Sequence, residues 1–175
     1  MQSFLRIVQA LMMSAVFTLA YAESKEIQPL TNLQQLASQA KAQKLPILLV
    51  VSQHHCPFCV KLKKEVLNPM VLSGDYTDRV IMTELLLDDD ADVVNLAGKS
   101  VYPGSIAADY QVWMTPTLLF IDADGVEVAR RMLGVNTVEM YGYYLDESLD
   151  AALQAVKKGP PYDYKLQKKH LNSSD

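Results

Sequence analysis

The stretch SQHHCPFCVKLKKEV, residues 52–66, contains both cysteines of the chain and two of its three histidines. It follows directly on residues 47–51 (ILLVV), an unbroken apolar run that predicts a strand buried on both faces. Over residues 57–67, apolar side chains recur at helical spacing between lysines, so an amphipathic helix is expected there. The first turn of that helix carries Cys56 and Cys59. A buried strand that leads through two cysteines into a helix is the most informative feature of the sequence.

The close spacing of the cysteines indicates chemistry rather than scaffolding. A bridge between Cys56 and Cys59 closes almost no chain, so it would stabilise the fold only slightly. The amide end of a helix favours an anion, and the thiolate is the form of cysteine that attacks disulfides. We therefore expect Cys56, at the helix cap, to be a nucleophile whose pKa is lowered. Cys59, one turn inside, would resolve a mixed disulfide, and Pro57 suits the first helical turn.

The N-terminus has the plan of a secretory signal peptide. Arg6 precedes an apolar stretch at residues 7–20, and Ala-Tyr-Ala at 20–22 offers small residues where a signal peptidase reads them. The apolar stretch is shorter than the ~20 residues that span a bilayer, which disfavours an uncleaved anchor. We expect removal of residues 1–22 by cleavage after Ala22, export to an extracytoplasmic compartment and no stable membrane insertion afterwards. Disulfides persist in such an oxidising compartment.

The composition favours a single compact domain. The chain has 175 residues, 50% of them hydrophobic, and a formal net charge of −4 without a basic stripe, so nucleic acid is not an expected partner. No internal repeat or long linker divides it. We expect one monomeric domain over residues 23–159, followed by a polar tail at residues 160–175.

The remaining hydrophobic pattern predicts an α/β fold with a central mixed sheet flanked by helices. A parallel βαβ half would be joined to an antiparallel hairpin that turns at residues 122–125. Asn68-Pro69 is expected to interrupt or kink the helix that follows the cysteines. The other predicted elements are a helix capped by Thr31 or Asn32, strands at 80–87, 117–121 and 126–132, short helices at 92–99 and 105–110, and a long helix that ends near Lys158.

These features together resemble the thioredoxin family. The residues that carry the resemblance are Cys56-Pro57-Phe58-Cys59 at the start of a helix, TPTLLFIDADG at 115–125, and Gly134 before the last helix. The resemblance spans roughly residues 31–158 and is nearest to the exported thioredoxin-like proteins of bacteria, which implies the periplasm as the compartment. It implies a thioredoxin fold and a thiol–disulfide oxidoreductase that needs no cofactor. Its partners would be protein thiol or disulfide substrates and a redox partner, with reduction of substrates favoured over the oxidase direction.

The resemblance also assigns residues outside the helix to the site. A cis bond at Pro116 would bring Thr115 to the cysteine pair, where its backbone would meet an extended substrate. Trp113 is interpreted either as apolar surface beside that loop or as ordinary core. The further residues implied to support the substrate site are Pro57, Phe58 and His55.

The chain departs from the family at two positions. The family often buries an aspartate in the strand beneath the cysteines as a proton acceptor, and the matching position here is Val50. The tryptophan that often precedes the first cysteine is replaced by His55. Glu84, in an otherwise apolar strand, is a possible proton acceptor for the resolving thiol. Alternatively, Glu84 lies on an exposed sheet edge or pairs with Lys63.

The histidines admit three interpretations. His54 and His55 are exposed loop residues, or His55 stabilises the neighbouring thiolate, or the two rings join Cys56 and Cys59 in a zinc or copper carrier. Zinc ligands usually come from separated stretches, and the third histidine, His170, lies in the tail. No residue is therefore assigned as a metal ligand, and metal carriage is kept as an alternative function.

Overall fold

The computed structural model describes residues 26–135 and 138–158. The predicted signal peptide at 1–22 and the polar tail at 160–175 lie outside the described residues. A four-stranded mixed sheet lies at the centre, with apolar clusters on both of its faces. Within the described ranges, no helix has the length and apolar character that a bilayer crossing requires.

The parallel and antiparallel halves of the sheet meet at its first strand. The elements are α1 (Leu33–Gln43), β1 (Ile47–Ser52), α2 (Pro57–Leu62), a π-helical turn (Lys63–Leu67), α3 (Asn68–Ser73), β2 (Ile81–Leu86), β3 (Val93–Val94), β4 (Ser100–Val101), α4 (Pro103–Asp109), β5 (Thr117–Ile121), β6 (Met132–Leu133) and α5 (Val138–Lys158). The strand order is β2-β1-β5-β6, with β1 parallel to β2 and antiparallel to β5. The pair β5–β6 is antiparallel. The predicted thioredoxin fold is therefore confirmed.

Helices cover both faces of the sheet, which is why all 6 residues of β1 are buried. On one face, Leu48 and Val50 belong to a cluster that also holds side chains of α2 and α5. On the other, Ile47, Leu49 and Val51 belong to a cluster with side chains of α1 and α4. Full burial of an aliphatic side chain stabilises a fold by ~1.5–3 kcal/mol. The loop to the cysteine pair therefore leaves from a firmly held strand end.

The predicted short helix at residues 92–99 is wrong, because β3 and β4 form a two-stranded hairpin there. The Asn95 side chain accepts hydrogen bonds from the N–H groups of Ala97 and Lys99, each at 3.0 Å. Gly98, expected to close the helix, has a φ of 76° within the turn between the strands. An asparagine that bonds its own following backbone, with a left-handed glycine, favours a turn over a helix.

The predicted fourth strand at residues 126–132 is wrong in its extent. Pairing next to the hairpin turn is limited to an isolated bridge between Ile121 and Glu127, and β6 begins only at Met132. Val128 and Ala129 are each 4% exposed. Two consecutive residues of an extended edge strand point to opposite faces, and usually only one of those faces is buried. Here the chain bends at Ala129, and both side chains are buried.

The helix after the cysteines continues through Asn68-Pro69 instead of breaking there. Its middle widens into the π-helical turn, in which the Asn68 N–H donates to the carbonyl of Lys63. Pro69 then occupies the first turn of α3, where a missing N–H is tolerated. The expected interruption is thus replaced by a change of helical pitch.

Candidate active site

The cysteine pair lies where β1 ends and α2 begins. Cys56 is the N-cap residue of α2, with extended backbone, and Pro57 occupies the first turn. The two cysteines form a disulfide with Cα atoms 5.2 Å apart, and Cys59 N–H lies 3.2 Å from Cys56 Sγ. Cys59 is 1% exposed, whereas Cys56 is half-buried. The arrangement offers one accessible sulfur at the amide end of a helix and one shielded sulfur behind it.

The loop before β5 lies against the accessible sulfur. The Thr115–Pro116 peptide bond is cis, as predicted. The carbonyl oxygen of Thr115 lies 3.8 Å from Cys56 Sγ, which is a contact and not a hydrogen bond. The hydroxyl of Thr115 donates to Oε1 of Gln53 at 3.0 Å and so joins this loop to the one before Cys56. Gln53 was not predicted, since a glutamine in a polar loop carries no sequence signal.

Large apolar side chains are exposed around the pair. Phe58, between the cysteines, is 59% exposed and Val60 is 50% exposed. Trp113, two residues before Thr115, is 77% exposed, so its interpretation as core is wrong. Exposed apolar groups beside a reactive group are typical of a surface that contacts another protein.

Glu84 is buried beneath the helix that carries the cysteines. It pairs with Val50 in the parallel β1–β2 register and is 3% exposed. Its outer side is covered, because its backbone N–H and carbonyl bond to Gln28 and Leu30 at 2.9 and 2.7 Å. The interpretation of Glu84 as an exposed edge residue is therefore wrong. The sequence does not predict this covering segment, because it pairs with β2 through a single bridge at Pro29 and is too short to show the alternation of apolar and polar residues that marks a strand.

The Glu84 carboxylate is fully engaged with two side chains. Ser52 Oγ donates to Oε1 at 2.5 Å, and Lys63 Nζ lies 3.0 and 3.1 Å from the two oxygens. The predicted pairing with Lys63 is confirmed. The Lys63 N–H donates to the carbonyl of Cys59, so the lysine that pairs with Glu84 follows the shielded cysteine by one helical turn.

The two histidines converge on Asp88, at the end of the segment that contains β2. The backbone N–H and ring Nδ1 of His54 lie 2.9 and 3.0 Å from Asp88 oxygens, and those of His55 lie 3.4 and 3.3 Å away. Desolvation raises the pKa of Asp88, but the hydrogen bonds from His54 and His55 outweigh it and hold that pKa well below its ordinary value. The His55 side chain is 96% exposed. Across the described residues, the hydrogen bonds of both rings go to Asp88 rather than to a sulfur.

Asp88 was not singled out from the sequence, although a signal existed. It directly follows the strand predicted at 80–87, which was expected to run parallel to 47–51. The carboxyl ends of parallel strands meet at one edge of a sheet. The predicted parallel pairing therefore places Asp88 next to the His54-His55 loop. In the chain as far as the structure describes it, no group of three or more His, Cys, Asp or Glu side chains is arranged to hold a metal ion. The metal-carrier alternative rests on residue types alone.

Comparison with known proteins agrees with this geometry. Residues 33–157 match the sequence profile of a thioredoxin-like domain. The solved structure of the DsbH oxidoreductase is similar, with a TM-score of 0.53 and 19% identity, covering 81% of this chain and 96% of that one. Oxidized thioredoxin O2 from Arabidopsis thaliana has a TM-score of 0.49 and 19% identity, covering 70% and 94%. No curated protein matches the chain. The chain belongs to the thioredoxin-like family and is a thiol–disulfide oxidoreductase that carries its cysteine pair at Cys56 and Cys59.

Proposed function

We propose that the protein is an exported, monomeric reductase of protein disulfides that works in the periplasm. The observation that carries the proposal is the position of Cys56 Sγ. It is half-buried at the N-cap of α2, 3.2 Å from an amide N–H and 3.8 Å from the Thr115 carbonyl. A sulfur held there is favoured as a thiolate and lies beside backbone that can pair with a substrate.

The first step joins the substrate to Cys56. In the reduced protein, the Cys56 thiolate attacks one sulfur of a substrate disulfide, and a new S–S bond forms as the old one breaks. The displaced substrate sulfur leaves as a thiolate and takes a proton from solvent. The carbonyl of Thr115 is positioned to accept a hydrogen bond from the extended substrate chain, and Pro116 fixes the direction of that carbonyl.

The second step releases the substrate. The Cys59 thiol gives up its proton, its sulfur attacks Cys56 Sγ, and the second substrate sulfur leaves as a thiolate. Two electrons have then passed from the dithiol to the substrate, and a reduced dithiol protein, the redox partner, restores the pair. We assign the Cys59 proton to Glu84, a buried carboxylate whose partner Lys63 lies one helical turn after Cys59. Buried carboxylates serve as bases in this way.

The substrate surface is formed by Phe58, Val60 and Trp113. Each is at least half exposed, and each lies within a few residues of Cys56, Cys59 or Thr115. These side chains would contact the apolar residues of an unfolded or misbridged protein. The proposed direction follows the resemblance to exported reducing proteins. The proposed compartment follows the signal-peptide plan of residues 1–22 together with the resemblance to exported proteins of bacteria.

The activity is tested by reduction of insulin with dithiothreitol as electron donor. The wild type should accelerate insulin precipitation, and Cys56→Ser should lose nearly all of this acceleration. A fully active Cys56→Ser variant would show that the sulfur of Cys56 is not the attacking group. Glu84→Gln should slow resolution of the mixed disulfide in stopped-flow mixing, while the initial attack proceeds at the wild-type rate.

Direction and compartment are tested in cells. Acid trapping and alkylation of intact cells should find the cysteines mainly as free thiols, whereas a mainly bridged pair would reverse the assignment to the oxidase direction. Cell fractionation should recover the protein in the periplasm, and its first residue should be Glu23. A cytoplasmic protein that retains residues 1–22 would contradict the proposed export.

A further inference from the structure

The Asp88 carboxylate makes several hydrogen bonds to the loop that leads into the cysteine pair. Asp88 accepts hydrogen bonds from the backbone N–H of His54, at 2.9 Å from both oxygens, and from that of His55 at 3.4 Å. It also contacts Nδ1 of both rings, at 3.0 and 3.3 Å. We propose that Asp88 is a positioning residue that fixes the backbone before Cys56 and so sets the reactivity of its sulfur. This inference rests on the disulfide exchange proposed above.

Asp88 can anchor the loop because its own backbone is tied to the sheet. It lies two residues beyond the end of β2, and the Leu87 N–H donates to the carbonyl of Ser52 at 2.9 Å. The β1–β2 ladder therefore reaches the residue next to Asp88. On the loop side, the Cys56 N–H bonds to the carbonyl of Gln53 at 3.4 Å, which closes the turn just before the N-cap.

The reactivity of Cys56 depends on where its sulfur lies relative to the helix amides. Sγ is 3.2 Å from the N–H of Cys59, and a hydrogen bond to the thiolate favours that charged form. Such bonds weaken steeply as distance and angle depart from their optimum. If the backbone at residues 54–55 were loose, Cys56 would leave this geometry. By fixing the backbone of residues 54 and 55, the hydrogen bonds to Asp88 thus fix the position of the Cys56 sulfur.

The backbone bonds, and not the rings, are assigned the positioning role. An ionised carboxylate only accepts hydrogen bonds, so a hydrogen bond from either ring to Asp88 requires a proton on Nδ1. The side chains of His54 and His55 are 52% and 96% exposed, so water competes with their ring contacts. The two consecutive backbone N–H groups fix the course of the chain directly.

The charge of Asp88 acts in the opposite direction from its positioning role. A nearby carboxylate disfavours a thiolate, so removing the charge alone would make Cys56 more reactive. Loss of positioning makes it less reactive. The sign of the change in reactivity therefore separates the two effects.

The test is the rate of alkylation of Cys56 by iodoacetamide, measured across pH in a Cys59→Ala background. Asp88→Ala should slow alkylation at neutral pH about tenfold, equivalent to ~1.4 kcal/mol, and move the midpoint of the pH profile upward. Asp90→Ala removes an exposed acid of the same run and should leave the rate and midpoint unchanged. A rate in Asp88→Ala that equals or exceeds that of the background protein overturns the proposal.

Two further variants keep the test decisive. His54→Ala/His55→Ala retains both backbone N–H groups and should stay within about threefold of the background rate; a loss equal to that of Asp88→Ala overturns the assignment to the backbone. If Asp88→Ala fails to fold by circular dichroism, Asp88→Glu replaces it: it keeps the charge but displaces the accepting oxygens by one methylene, so it should still slow alkylation, and a rate equal to that of the background protein overturns the proposal. Alkylation of Cys56 needs no substrate protein. If the wild type fails to reduce insulin, the proposed function is therefore contradicted, but the alkylation rates still test the role of Asp88.

Discussion

Lys63 Nζ lies 3.0 Å from the carboxylate of Glu84, and the two side chains differ sharply in their access to water. The lysine side chain is 24% exposed, whereas the glutamate side chain is 4% exposed. An ammonium group at the end of a flexible stem reaches solvent when its partner is removed. A buried carboxylate that loses its partner cannot reach solvent in this way. Removing the lysine and removing the glutamate should therefore reduce the stability of the fold by different amounts.

Lys63→Met should therefore destabilise the protein more than Glu84→Gln. We expect a loss of about 3 kcal/mol in the free energy of unfolding for Lys63→Met, since it leaves an uncompensated buried charge. Glu84→Gln should lose about 1 kcal/mol, because the amide still accepts a hydrogen bond from Ser52. Urea denaturation of the oxidised variants measures both, with Lys64→Met, an exposed neighbour, as control. A larger loss for Glu84→Gln would mean that the lysine, not the carboxylate, is the stranded group.

The parts of this site that sequence predicts are those encoded in consecutive residues. The run at 47–51 and the helical spacing after Pro57 each carry their own local signal, whereas the cis bond at Pro116 was implied by the family resemblance of the Thr115-Pro116 stretch; all three are found where expected. Cys56 and Cys59 follow directly, because their position at a helix start needs no distant partner to be recognised.

The parts that sequence does not predict depend on segments far apart in the chain. Glu84 is buried because Gln28–Leu30 runs beside it, and Asp88 matters because residues 54–55 turn towards it. The hairpin of β3 and β4 replaces an expected helix because local side-chain bonds of Asn95 outweigh a weak helical pattern. Elements of only a few residues are too short to show the periodic pattern of apolar residues from which helices and strands are predicted.

Cys59→Ser should trap the reaction at its halfway point. With the resolving sulfur absent, Cys56 can still attack a substrate disulfide, but the mixed disulfide has no internal route to release. We expect a covalent complex of one protein and one insulin molecule on non-reducing gels, dissociated by dithiothreitol, with nearly complete loss of catalytic turnover. Cys56→Ser serves as the matched control and should form no such complex. Equal trapping by both variants would contradict the assignment of Cys56 as the attacking residue.

Trp113→Ala should weaken the use of protein substrates without weakening the fold. The side chain is 77% exposed, so the free energy of unfolding should change by no more than ~0.5 kcal/mol. The KM for insulin should rise about tenfold, equivalent to ~1.4 kcal/mol of binding, while the rate with the small disulfide cystine stays unchanged. Tyr143→Ala, which removes a 65% exposed aromatic side chain from α5, is the control. An equal rise in KM for cystine would place Trp113 in the chemistry rather than in protein contact.

The stabilising contribution of Asp88 should disappear in acid. Hydrogen bonds from His54 and His55 lower its pKa from an ordinary value of 3.8. A carboxyl group whose folded pKa is lowered stabilises the fold above the unfolded pKa and loses that contribution as pH falls through the folded value. Asp88→Asn should therefore lower the thermal midpoint at pH 7, and the difference from wild type should shrink steadily below pH ~4. A difference that stays constant down to pH ~2 would mean that the contact does not depend on the charge.

Gly125→Ala should destabilise the protein more than Gly74→Ala, although both glycines have left-handed backbone, with φ of 77° and 73°. Forcing alanine into that region costs about 1 kcal/mol in either variant. At Gly74 an added Cβ meets no atom within 4 Å, whereas at Gly125 it would overlap the Leu96 side chain and lie 3.0 Å from the Tyr110 hydroxyl.

The Tyr110 hydroxyl donates to the Gly125 carbonyl at 2.9 Å, so the added methyl group would also disturb that hydrogen bond. Displacing the partly buried Leu96 side chain adds about 1 kcal/mol to the backbone term, the low end of the cost of overpacking. Urea denaturation of both variants measures the difference, and Leu96→Ala should restore part of the loss in Gly125→Ala by opening the space. If the two glycine variants lose equal stability, backbone strain alone accounts for the effect, and the packing of the β3–β4 hairpin against this turn contributes nothing.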